Sequence, residues 1–298
     1  MLSILIPVYN YNVVNLVSEI HRQATQAKIE FEIICVDDAS KSLLNKHNEK
    51  INSLKNSTFF SNKKNLGYSS NRNFLASISK FKNLIFIDGD SIIISNLYIN
   101  TYLNILSKKF DIVYGGRIHP NSIKNPYKSL RWKYGKFRED KSTAKRAEKK
   151  YEALMFNNTL VKKNVFGLIK FDVITNKYGH DDTLFAYKAS LAKLDVKHIN
   201  NSIMHADIDE NYVFLKKTET ALNNLKYISK HNLISSDFVK MLSVHKKLKC
   251  YKIDYILTMF YKRFKNKMKH NLVSNNPSLK IFNLYRLSYF CYIYNKKI

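Results

Sequence analysis

Cysteine, glycine, proline and tryptophan are all scarce in this chain of 298 residues, and the scarcity excludes several classes of protein. Seven glycines and four prolines are too few for a collagen-like or low-complexity chain. The three cysteines, Cys35, Cys250 and Cys291, lack the spacing of a metal site or a disulfide framework, so we expect a reduced, cytosolic compartment. The sequence also lacks a run of about 18 uncharged apolar residues, so no helix that spans a membrane is expected.

Acidic residues are outnumbered, since 23 Asp and Glu stand against 50 Lys and Arg, which gives a net charge of +27. Such an excess makes phosphates, anionic lipids and nucleic acids the candidate partners, but it does not determine the fold. The abundance of Asn, Lys, Ile and Tyr is also typical of an AT-rich genome. Mutational bias in such a genome is a second explanation for the excess of lysine. Hydrophobic residues make up 45% of the chain, enough for a sizeable core, and this excludes a disordered chain.

Strand-like and helix-like patterns alternate through the first half of the chain. Apolar runs of the kind that form buried parallel strands occur at residues 2–8, 31–36 and 84–88, with a short strand candidate at 58–61. Helical patterns lie between them at residues 12–27, 41–55 and 69–81. This alternation predicts an α/β fold with a mainly parallel central sheet flanked by helices.

Polar residues follow three of these strands at the point where each strand ends. They are Pro7, Tyr9 and Asn10 after the first strand, Asp37, Asp38 and Ser40 after the second, and Asp88 and Asp90 after the later one. Because ligands bind at the carboxyl ends of the strands in such sheets, we expect these residues to converge on one crevice.

The segment FIDGDS at residues 86–91 places two carboxylates around a glycine. Asp88 and Asp90 can hold a hard divalent cation, because Mg²⁺ and Mn²⁺ take one or two carboxylates and complete their coordination with water and substrate phosphate. Gly89 permits a tight turn between the two acids. Taken alone, this pattern is equally consistent with an ordinary acidic turn.

Several segments, in their order along the chain, resemble the bacterial family-2 glycosyltransferases, which bind nucleotide-diphospho-sugars on a GT-A fold. They are SILIPVYN (3–10), VDDAS (36–40), NLGYSSNRN (65–73), FIDGDS (86–91), GGRIHP (115–120), LRWKYGKFRE (130–139), FNNTLV (156–161), KFDVITNKYGHDDTLFAYK (170–188) and INNSIMHADIDENYVFLKKTETALNNL (199–225). The resemblance covers about residues 2–225 and implies a Rossmann-like GT-A fold. The domains expected from it are a catalytic domain at 1–210, with a donor-binding half at about 1–116 and an acceptor half at about 117–210, and a basic, mainly helical C-terminal extension at 211–298.

The resemblance also implies a donor-binding set. Its members are Pro7, Tyr9, Asn10, Asp38, Gly67, Arg72, Asp88 and Gly89. In this family pattern, Tyr9 packs on the uracil base, Asp38 accepts a hydrogen bond from the base ring N–H, and Arg72 faces the nucleotide. Asp88 meets the ribose or the metal, and Asp90 coordinates a Mn²⁺ or Mg²⁺ ion directly.

Two downstream motifs complete the implied site. In YGHDD, at residues 178–182, Asp182 falls on the position of the catalytic base, and Asp181 stands where the family typically has a glutamate. His205, in MHAD, matches a histidine that completes the metal coordination in many relatives. His180 and Asp207 are nearby alternatives to His205 as the ligand.

The implied activity is that of an inverting, metal-dependent glycosyltransferase, either a hexosyl- or an N-acetylhexosaminyltransferase. It would move a sugar from a UDP-sugar to a hydroxyl of a growing glycan or of a lipid-linked acceptor. The implied pathway is the synthesis of a bacterial surface polysaccharide, such as capsule or the O-antigen of lipopolysaccharide, in the cytoplasm. The alternative is a basic peripheral binding protein that keeps the fold without turnover, and the intact acidic residues argue against it.

Basic charge is concentrated in residues 238–298, which hold 14 Lys and Arg against the single acid Asp254, a net charge of +13. Segments 253–264 and 281–294 mix apolar, aromatic and basic residues. They predict either amphipathic helices on the inner face of an anionic cytoplasmic membrane or helices packed on the catalytic domain. A nucleic-acid partner is disfavoured because no recognised binding module occurs.

Overall fold

The computed structural model describes residues 1–173 and 179–296. The strands in these residues are β1 Leu2–Val8, β2 Phe31–Asp37, β3 Ser57–Ser61, β4 Asn83–Ile87, β5 Ser91–Ile92, β6 Ile112–Tyr114, β7 Arg117–Ile118, β8 Asn158–Lys162, β9 Val196–His198 and β10 Ile203–His205. The helices are α1 Val14–Gln26, α2 Asn45–Asn48, α3 Tyr68–Ile78, α4 Tyr98–Leu106, α5 Ser129–Tyr134, α6 Thr143–Ala147, α7 Lys163–Ile169, α8 Asp181–Leu191, α9 Asn211–Lys230, α10 Lys240–Cys250, α11 Ile253–Val273 and α12 Leu279–Asn295.

The central sheet has seven strands in the order β3-β2-β1-β4-β8-β6-β9. β1 lies between β2 and β4 and pairs in parallel with both, and β2 pairs in parallel with β3. β8 runs antiparallel to its neighbours β4 and β6, whereas β6 and β9 are parallel. The predicted α/β fold with a mainly parallel sheet is therefore confirmed.

Helices cover both faces of this sheet. On one face, Ile4 and Ile6 of β1 pack in a common core with the apolar side chains of α1 and α4. On the other face, Phe86 of β4 stacks with Phe166 of α7 at a ring-centroid distance of 5.1 Å. Because each face has a cover, the central strands are apolar along their whole length rather than alternating with polar residues.

A second, three-stranded sheet has the order β5-β10-β7. β10 pairs antiparallel with β5, which sets His205 opposite Ser91, and it pairs in parallel with β7. β5 begins directly after Asp90, so this small sheet brings the chain around residue 205 to the acidic turn that follows β4.

The helix predicted over residues 41–55 is wrong in its length. The structure has α2, of four residues, followed by a 3₁₀ turn. Asn48 accepts a hydrogen bond from the N–H of Val13 at 3.0 Å, and Asn52 accepts one from the N–H of Phe59 at 2.7 Å. Because asparagine gives the backbone alternatives to helical bonding, these long-range bonds favour short turns over one continuous helix.

The described residues form two compact units. The sheet unit comprises residues 1–119, 140–173 and 188–207. The helical unit comprises residues 120–139, 179–187 and 208–296. The change at residue 208 lies close to the domain boundary predicted at 210, but two segments of the predicted acceptor half, 120–139 and 179–187, belong to the helical unit.

The helical unit has an aromatic core. Its buried members are Leu130, Leu215, Tyr261, Met268, Leu272, Phe282 and Tyr285. α11 and α12 pack along each other and against α9, as expected of a helical C-terminal region. None of the helices in the described ranges combines the length and the apolar character needed to cross a bilayer.

Candidate functional site

The end of β1 presents an exposed aromatic ring. Tyr9 follows the strand with 63% of its surface exposed, so it is not a core aromatic. Asn10 has a φ of +52°, in the left-handed region that asparagine tolerates better than most residues. This turn leaves the Tyr9 ring at the carboxyl edge of the sheet, with a face on which a base can stack.

The two acids after β2 have different partners. Asp37 accepts hydrogen bonds from the N–H and the hydroxyl of Ser40, at 2.9 and 2.6 Å, and closes its own turn. Asp38 is buried and accepts hydrogen bonds from the N–H groups of Leu66 and Gly67, both at 2.8 Å. It also accepts a hydrogen bond from the Nδ2 of Asn62 at 3.0 Å. Because a carboxylate has about four acceptor positions, Asp38 fixes the segment before α3 and keeps one position for a ligand N–H.

Gly67 occupies a backbone conformation that few other residues adopt. Its φ is +82°, and it immediately precedes α3. Because its N–H points to Asp38, this residue links the carboxylate at the end of β2 to the start of α3. A side chain at this position would be strained by the left-handed φ alone.

A buried ion pair lies beneath the strand ends. The Nη2 of Arg72 is 2.6 Å from the Oδ1 of Asp88 and also donates to the hydroxyl of Tyr68 at 2.5 Å. The hydroxyl of Tyr68 lies 3.1 Å from each carboxylate oxygen of Asp88. The guanidinium sits over the Tyr68 ring, 3.8 Å from its centroid, so the three side chains hold one another in place.

This arrangement changes the interpretation of Arg72. The resemblance implies that Arg72 faces the nucleotide, but its side chain has no exposed surface and its charge is directed at Asp88. Tyr68, by contrast, is partly exposed and was missing from the predicted set. Its spacing of four residues from Arg72 on a helix is the signal that would have paired the two.

Gly89 allows the acidic turn to approach the end of β1. A Cβ at this position would lie 3.0 Å from the Cγ1 of Val13 and 3.3 Å from the carbonyl oxygen of Pro7. Such contacts are too close for an undisturbed side chain. The glycine therefore lets Asp88 and Asp90 stand beside the strand end that carries Pro7 and Tyr9.

Asp90 meets His205 across the small sheet. The Oδ2 of Asp90 is 3.2 Å from the Nδ1 of His205, and both side chains keep some exposure. A carboxylate oxygen and an imidazole nitrogen are donors that Mn²⁺ accepts. In the described ranges, no cluster of three or more His, Cys, Asp or Glu side chains suited to a metal ion is found. Two protein ligands still fit Mg²⁺ or Mn²⁺ when substrate phosphates and water complete the coordination.

A second histidine lies behind His205. His119 is buried, and its Nδ1 is 2.6 Å from Asp140, which also accepts a hydrogen bond from the His119 N–H at 3.0 Å. The rings of His119 and His205 meet edge to face, with centroids 5.4 Å apart. Sequence reasoning missed this pair, because 21 residues separate its members and no local pattern joins them.

The surroundings of Tyr11 also belong to this cluster. Burial raises the pKa of Tyr11 above its ordinary value, and the carboxylates of Asp207 and Asp90 raise it further. The Tyr11 phenol therefore stays protonated and is a hydrogen-bond donor close to the two acids. The sequence left Asp207 and His180 open as alternatives to His205 as the metal ligand. Asp207 lies in the sheet unit, and His180 lies in the helical unit.

The HDD segment begins α8 in the helical unit, and Tyr178, the first residue of YGHDD, lies outside the described residues. Gly179 has a φ of +104°, and a Cβ there would lie 2.6 Å from the Cβ of Ala221 on α9. The carbonyl of Gly179 also accepts a hydrogen bond from Asn224 at 2.5 Å. This anchoring fixes the start of α8, where Asp181 and Asp182 occupy the first turn, a favourable place for negative charge.

His180 precedes the two acids and is held neutral. Desolvation by its packed surroundings lowers the pKa of His180 to about 4, and the positive charge of Arg286 contributes in the same direction. Its Nδ1 lies 3.3 Å from the hydroxyl of Thr183. At neutral pH the imidazole therefore adds no positive charge to the segment that carries Asp181 and Asp182.

Comparison with known proteins identifies the family of the chain. The family model described as glycosyl transferase family 2 matches residues 3–174, which is more than half of the chain. The chain belongs to glycosyl transferase family 2. A search among curated proteins finds no match.

Solved structures share the family-2 fold. S. aureus TarS 1-349 in complex with UDP-GlcNAc is 17% identical with a TM-score of 0.53, over 73% of this chain and 64% of that chain. S. aureus TarS is 18% identical with a TM-score of 0.53, over 73% of this chain and 38% of that one. S. aureus TarS 1-349 is 15% identical with a TM-score of 0.52, over 99% and 92% of the two chains. The matches to the first two structures therefore span less than two thirds of those chains.

The family-2 match divides the candidate residues into two groups. It covers the strand-end residues from Pro7 to Asp90. It ends at residue 174, so Asp181, Asp182 and His205 lie beyond it and their roles rest on the motifs that carry them. Of these three, His205 is joined to the strand-end group by its contact with Asp90.

Proposed function

We propose that this family-2 member transfers a sugar from a UDP-sugar to a hydroxyl of a growing glycan or of a lipid-linked acceptor. The observation that carries the proposal is the convergence at one sheet edge of an exposed ring, a buried carboxylate and a carboxylate–histidine pair. These are Tyr9, Asp38 and the Asp90–His205 pair. A base needs a ring to stack on and an acceptor for its ring N–H, and a diphosphate with its cation needs metal-ligating side chains.

The donor-binding steps follow from the contacts of each side chain. Tyr9 stacks on the uracil, because its ring is exposed at the strand end. Asp38 accepts the ring N–H of the base with the one acceptor position left by its two backbone donors and Asn62. Asp88 receives the ribose or the metal in a fixed orientation, since Arg72 and Tyr68 hold its carboxylate before any ligand arrives.

The proposed cofactor is Mn²⁺ or Mg²⁺, held by Asp90 and His205 with Asp88 beside them. When bound, such an ion offsets the charge of the departing diphosphate. His119 and Asp140 orient the His205 ring from behind, and Tyr11 supplies a hydrogen-bond donor next to Asp90. Partners of this kind keep ligating side chains in place.

For the transfer itself, we assign the general base to Asp182 on the strength of the YGHDD motif. Its carboxylate takes the proton from the acceptor hydroxyl as that oxygen attacks the anomeric carbon. A single displacement of this kind inverts the anomeric configuration, and no carboxylate nucleophile is required. Asp181 supports Asp182 in the first turn of α8.

The proposed cellular role is the synthesis of a bacterial surface polysaccharide, either capsule or lipopolysaccharide O-antigen. The protein would act in the cytoplasm, with peripheral contact at the inner face of the cytoplasmic membrane. The support for this role is the resemblance of the downstream segments to one bacterial branch of the family.

The first experiment measures UDP release from a panel of UDP-sugars, with and without Mn²⁺, together with the thermal shift that each donor produces. UDP-GlcNAc comes first in the panel because it occupies a structural neighbour. A ligand present at 100 times its dissociation constant adds about 2.7 kcal/mol of stability. Metal-dependent stabilisation with UDP release supports the proposal. Stabilisation without release in the presence of acceptor extracts would favour the catalytically inert binding protein, and the absence of both would reject UDP-sugar binding.

A further inference from the structure

The two aromatic, basic segments of the C-terminal region differ in what they expose. α12 buries aromatic side chains on more than one side, with Phe282, Tyr285 and Phe290 all inaccessible. α11 buries Tyr261 and Met268 but leaves the other side of its first half uncovered. α12 therefore packs within the helical unit, whereas α11 has an apolar surface that the described residues do not cover.

The uncovered surface forms the end of a helical hairpin. α10 ends at Cys250 and α11 begins at Ile253, and Lys252 between them has a left-handed φ of +57°. We call residues 246–259 the hairpin tip. Its large exposed apolar side chains are Tyr251, Ile253, Tyr255, Ile256 and Met259, with 77%, 38%, 60%, 65% and 71% of their surface accessible. Adjacent exposed aromatic and aliphatic side chains of this kind mark an interaction surface.

The charge around this surface has one sign. The exposed basic residues of the hairpin tip are Lys246, Lys247, Lys249 and Lys252. Asp254 is the only acid in residues 238–298, and it is buried, where its Oδ2 accepts a hydrogen bond from Asn295 at 3.0 Å. The exposed part of the hairpin tip therefore presents lysines and apolar groups and no carboxylate.

We propose that the hairpin tip docks on the surface of an anionic lipid bilayer. Lysines are attracted to the negative headgroups, tyrosine rings suit the headgroup level, and Ile256 and Met259 enter the acyl boundary. A nucleic acid would use the lysines but would give exposed aliphatic side chains no apolar environment. The inference concerns a surface apart from the donor site, so it holds or fails independently of the glycosyltransferase activity.

The test uses the full chain and vesicles of phosphatidylcholine with or without phosphatidylglycerol. Cys250 lies in the hairpin tip and is exposed, while Cys35 and Cys291 are buried, so a polarity-sensitive fluorophore can be attached at Cys250. We expect a blue shift and co-sedimentation with the anionic vesicles at low salt, both fading at high salt because surface attraction is screened. Neutral vesicles should give neither signal.

Paired variants separate the apolar and the ionic contributions. Ile256→Ser with Met259→Ser should lower vesicle binding about tenfold or more, whereas Leu168→Ser with Leu191→Ser, which replaces two exposed leucines of the sheet unit, should leave it unchanged. Lys246→Glu with Lys247→Glu should lower vesicle binding at least about 25-fold, because each lost lysine accounts for about fivefold. Lys108→Glu with Lys109→Glu is the matched charge control in the sheet unit.

Three outcomes would overturn the proposal. The first is no binding to anionic vesicles at low salt. The second is binding that the control pairs reduce as much as the hairpin-tip pairs. The third is retention on an RNA or heparin column that the lysine variants lose and the apolar variants keep, which would identify a soluble polyanion instead. The thermal unfolding midpoint of each variant, measured without ligand, shows that the chain is folded and keeps this result separate from the proposed activity.

Discussion

The strand ends of the sheet unit and the C-terminal helices of the helical unit place their ionisable side chains in opposite ways. In the sheet unit, charge is drawn inward at the strand ends, where Arg72 is fully buried against Asp88 and Asp38 is buried under backbone N–H donors. In the C-terminal part of the helical unit, the single acid Asp254 is buried and lysines cover the surface. Because buried charge is costly unless it is partnered, the first pattern indicates a preorganised site and the second a surface suited to anionic partners.

Tyrosine accounts for another part of this contrast. In the helical unit, Tyr285 and Tyr261 lie in the core, and the Tyr285 hydroxyl donates to Glu219. Burial raises the pKa of Tyr285 far above its ordinary value, and its hydrogen bonds with Glu219 and Tyr261 raise it further. The phenol is therefore neutral throughout the physiological range. A tyrosine needs only one polar partner when buried, and here that partner, Glu219, is itself paired with Lys269 at 2.8 Å.

The largest effect that tests the contrast is expected at Asp90. Asp90→Ala should lower the rate of sugar transfer by more than about 10⁴-fold and abolish metal-dependent UDP binding, because one of the two proposed metal ligands is lost. The fold should persist, since Asp90 is partly exposed. Asp195→Ala, at an exposed acid of the same unit, is the control and should keep both functions. UDP affinity with and without Mn²⁺ is the measurement, and wild-type metal dependence in Asp90→Ala would contradict the ligand assignment.

The acids of the helical unit should affect turnover without affecting donor binding. Asp182→Asn keeps the shape and removes the base, so turnover should fall by about 10²–10⁴-fold while the UDP-induced thermal shift stays nearly unchanged. Asp181→Asn, the neighbouring substitution, should lower turnover much less. Steady-state kinetics beside the thermal shift gives the comparison. If Asp182→Asn turns over normally and Asp181→Asn does not, the base is Asp181.

The buried ion pair should make a larger contribution to stability than an exposed one. Arg72→Met leaves Asp88 without its cation beneath the strand ends, and we expect a loss of about 2–3 kcal/mol in the free energy of unfolding. Arg22→Met removes an exposed pair with Glu19 and should cost far less. Urea unfolding gives the free energy of unfolding of both variants, which are compared with the wild type at equal m-values. Equal losses in the free energy of unfolding would mean that Arg72 does not stabilise Asp88 more than an exposed partner would.

The smallest effect at neutral pH is expected at His180, and it grows only as the pH is lowered. Because the pKa of His180 falls to about 4 in the fold and is near 6.5 in the unfolded chain, unfolding takes up a proton between these values. Stability from this group therefore falls as pH drops from about 6.5 to 4, by at most about 1.4 kcal/mol per pH unit. His180→Gln should flatten the stability curve in this window, whereas His270→Gln, at an exposed position, should not. A variant curve parallel to the wild type would show that His180 is not desolvated.

Local pattern in the sequence was enough to locate most of the sheet. The strands predicted at residues 2–8 and 31–36 are observed at Leu2–Val8 and Phe31–Asp37, since a strand buried on both faces is apolar at most of its positions. The observed parallel pairing of β1 with β2 and β4 then places Tyr9, Asp38 and Asp88 at one edge. The sequence also identified the chain's family through the order of its motifs.

The hydrogen-bond and ion-pair partners of the site residues could not be predicted from local sequence pattern. Arg72 turns inward to Asp88, and His119 pairs with Asp140, because helix and strand packing joins residues that lie 16 and 21 positions apart. The same holds for His205, which meets Asp90 only because β10 pairs with β5. No short pattern encodes contacts of this range.

The C-terminal segments show the same limit on a larger scale. Residues 253–264 and 281–294 have similar aromatic and basic compositions, and the sequence determined that both are helical and that the region carries +13. Only the tertiary structure decided that α12 buries its aromatic residues and that the start of α11 exposes Ile256 and Met259. Local hydrogen bonding determines whether a segment is helical, whereas exposure depends on which neighbouring helices cover each of its faces.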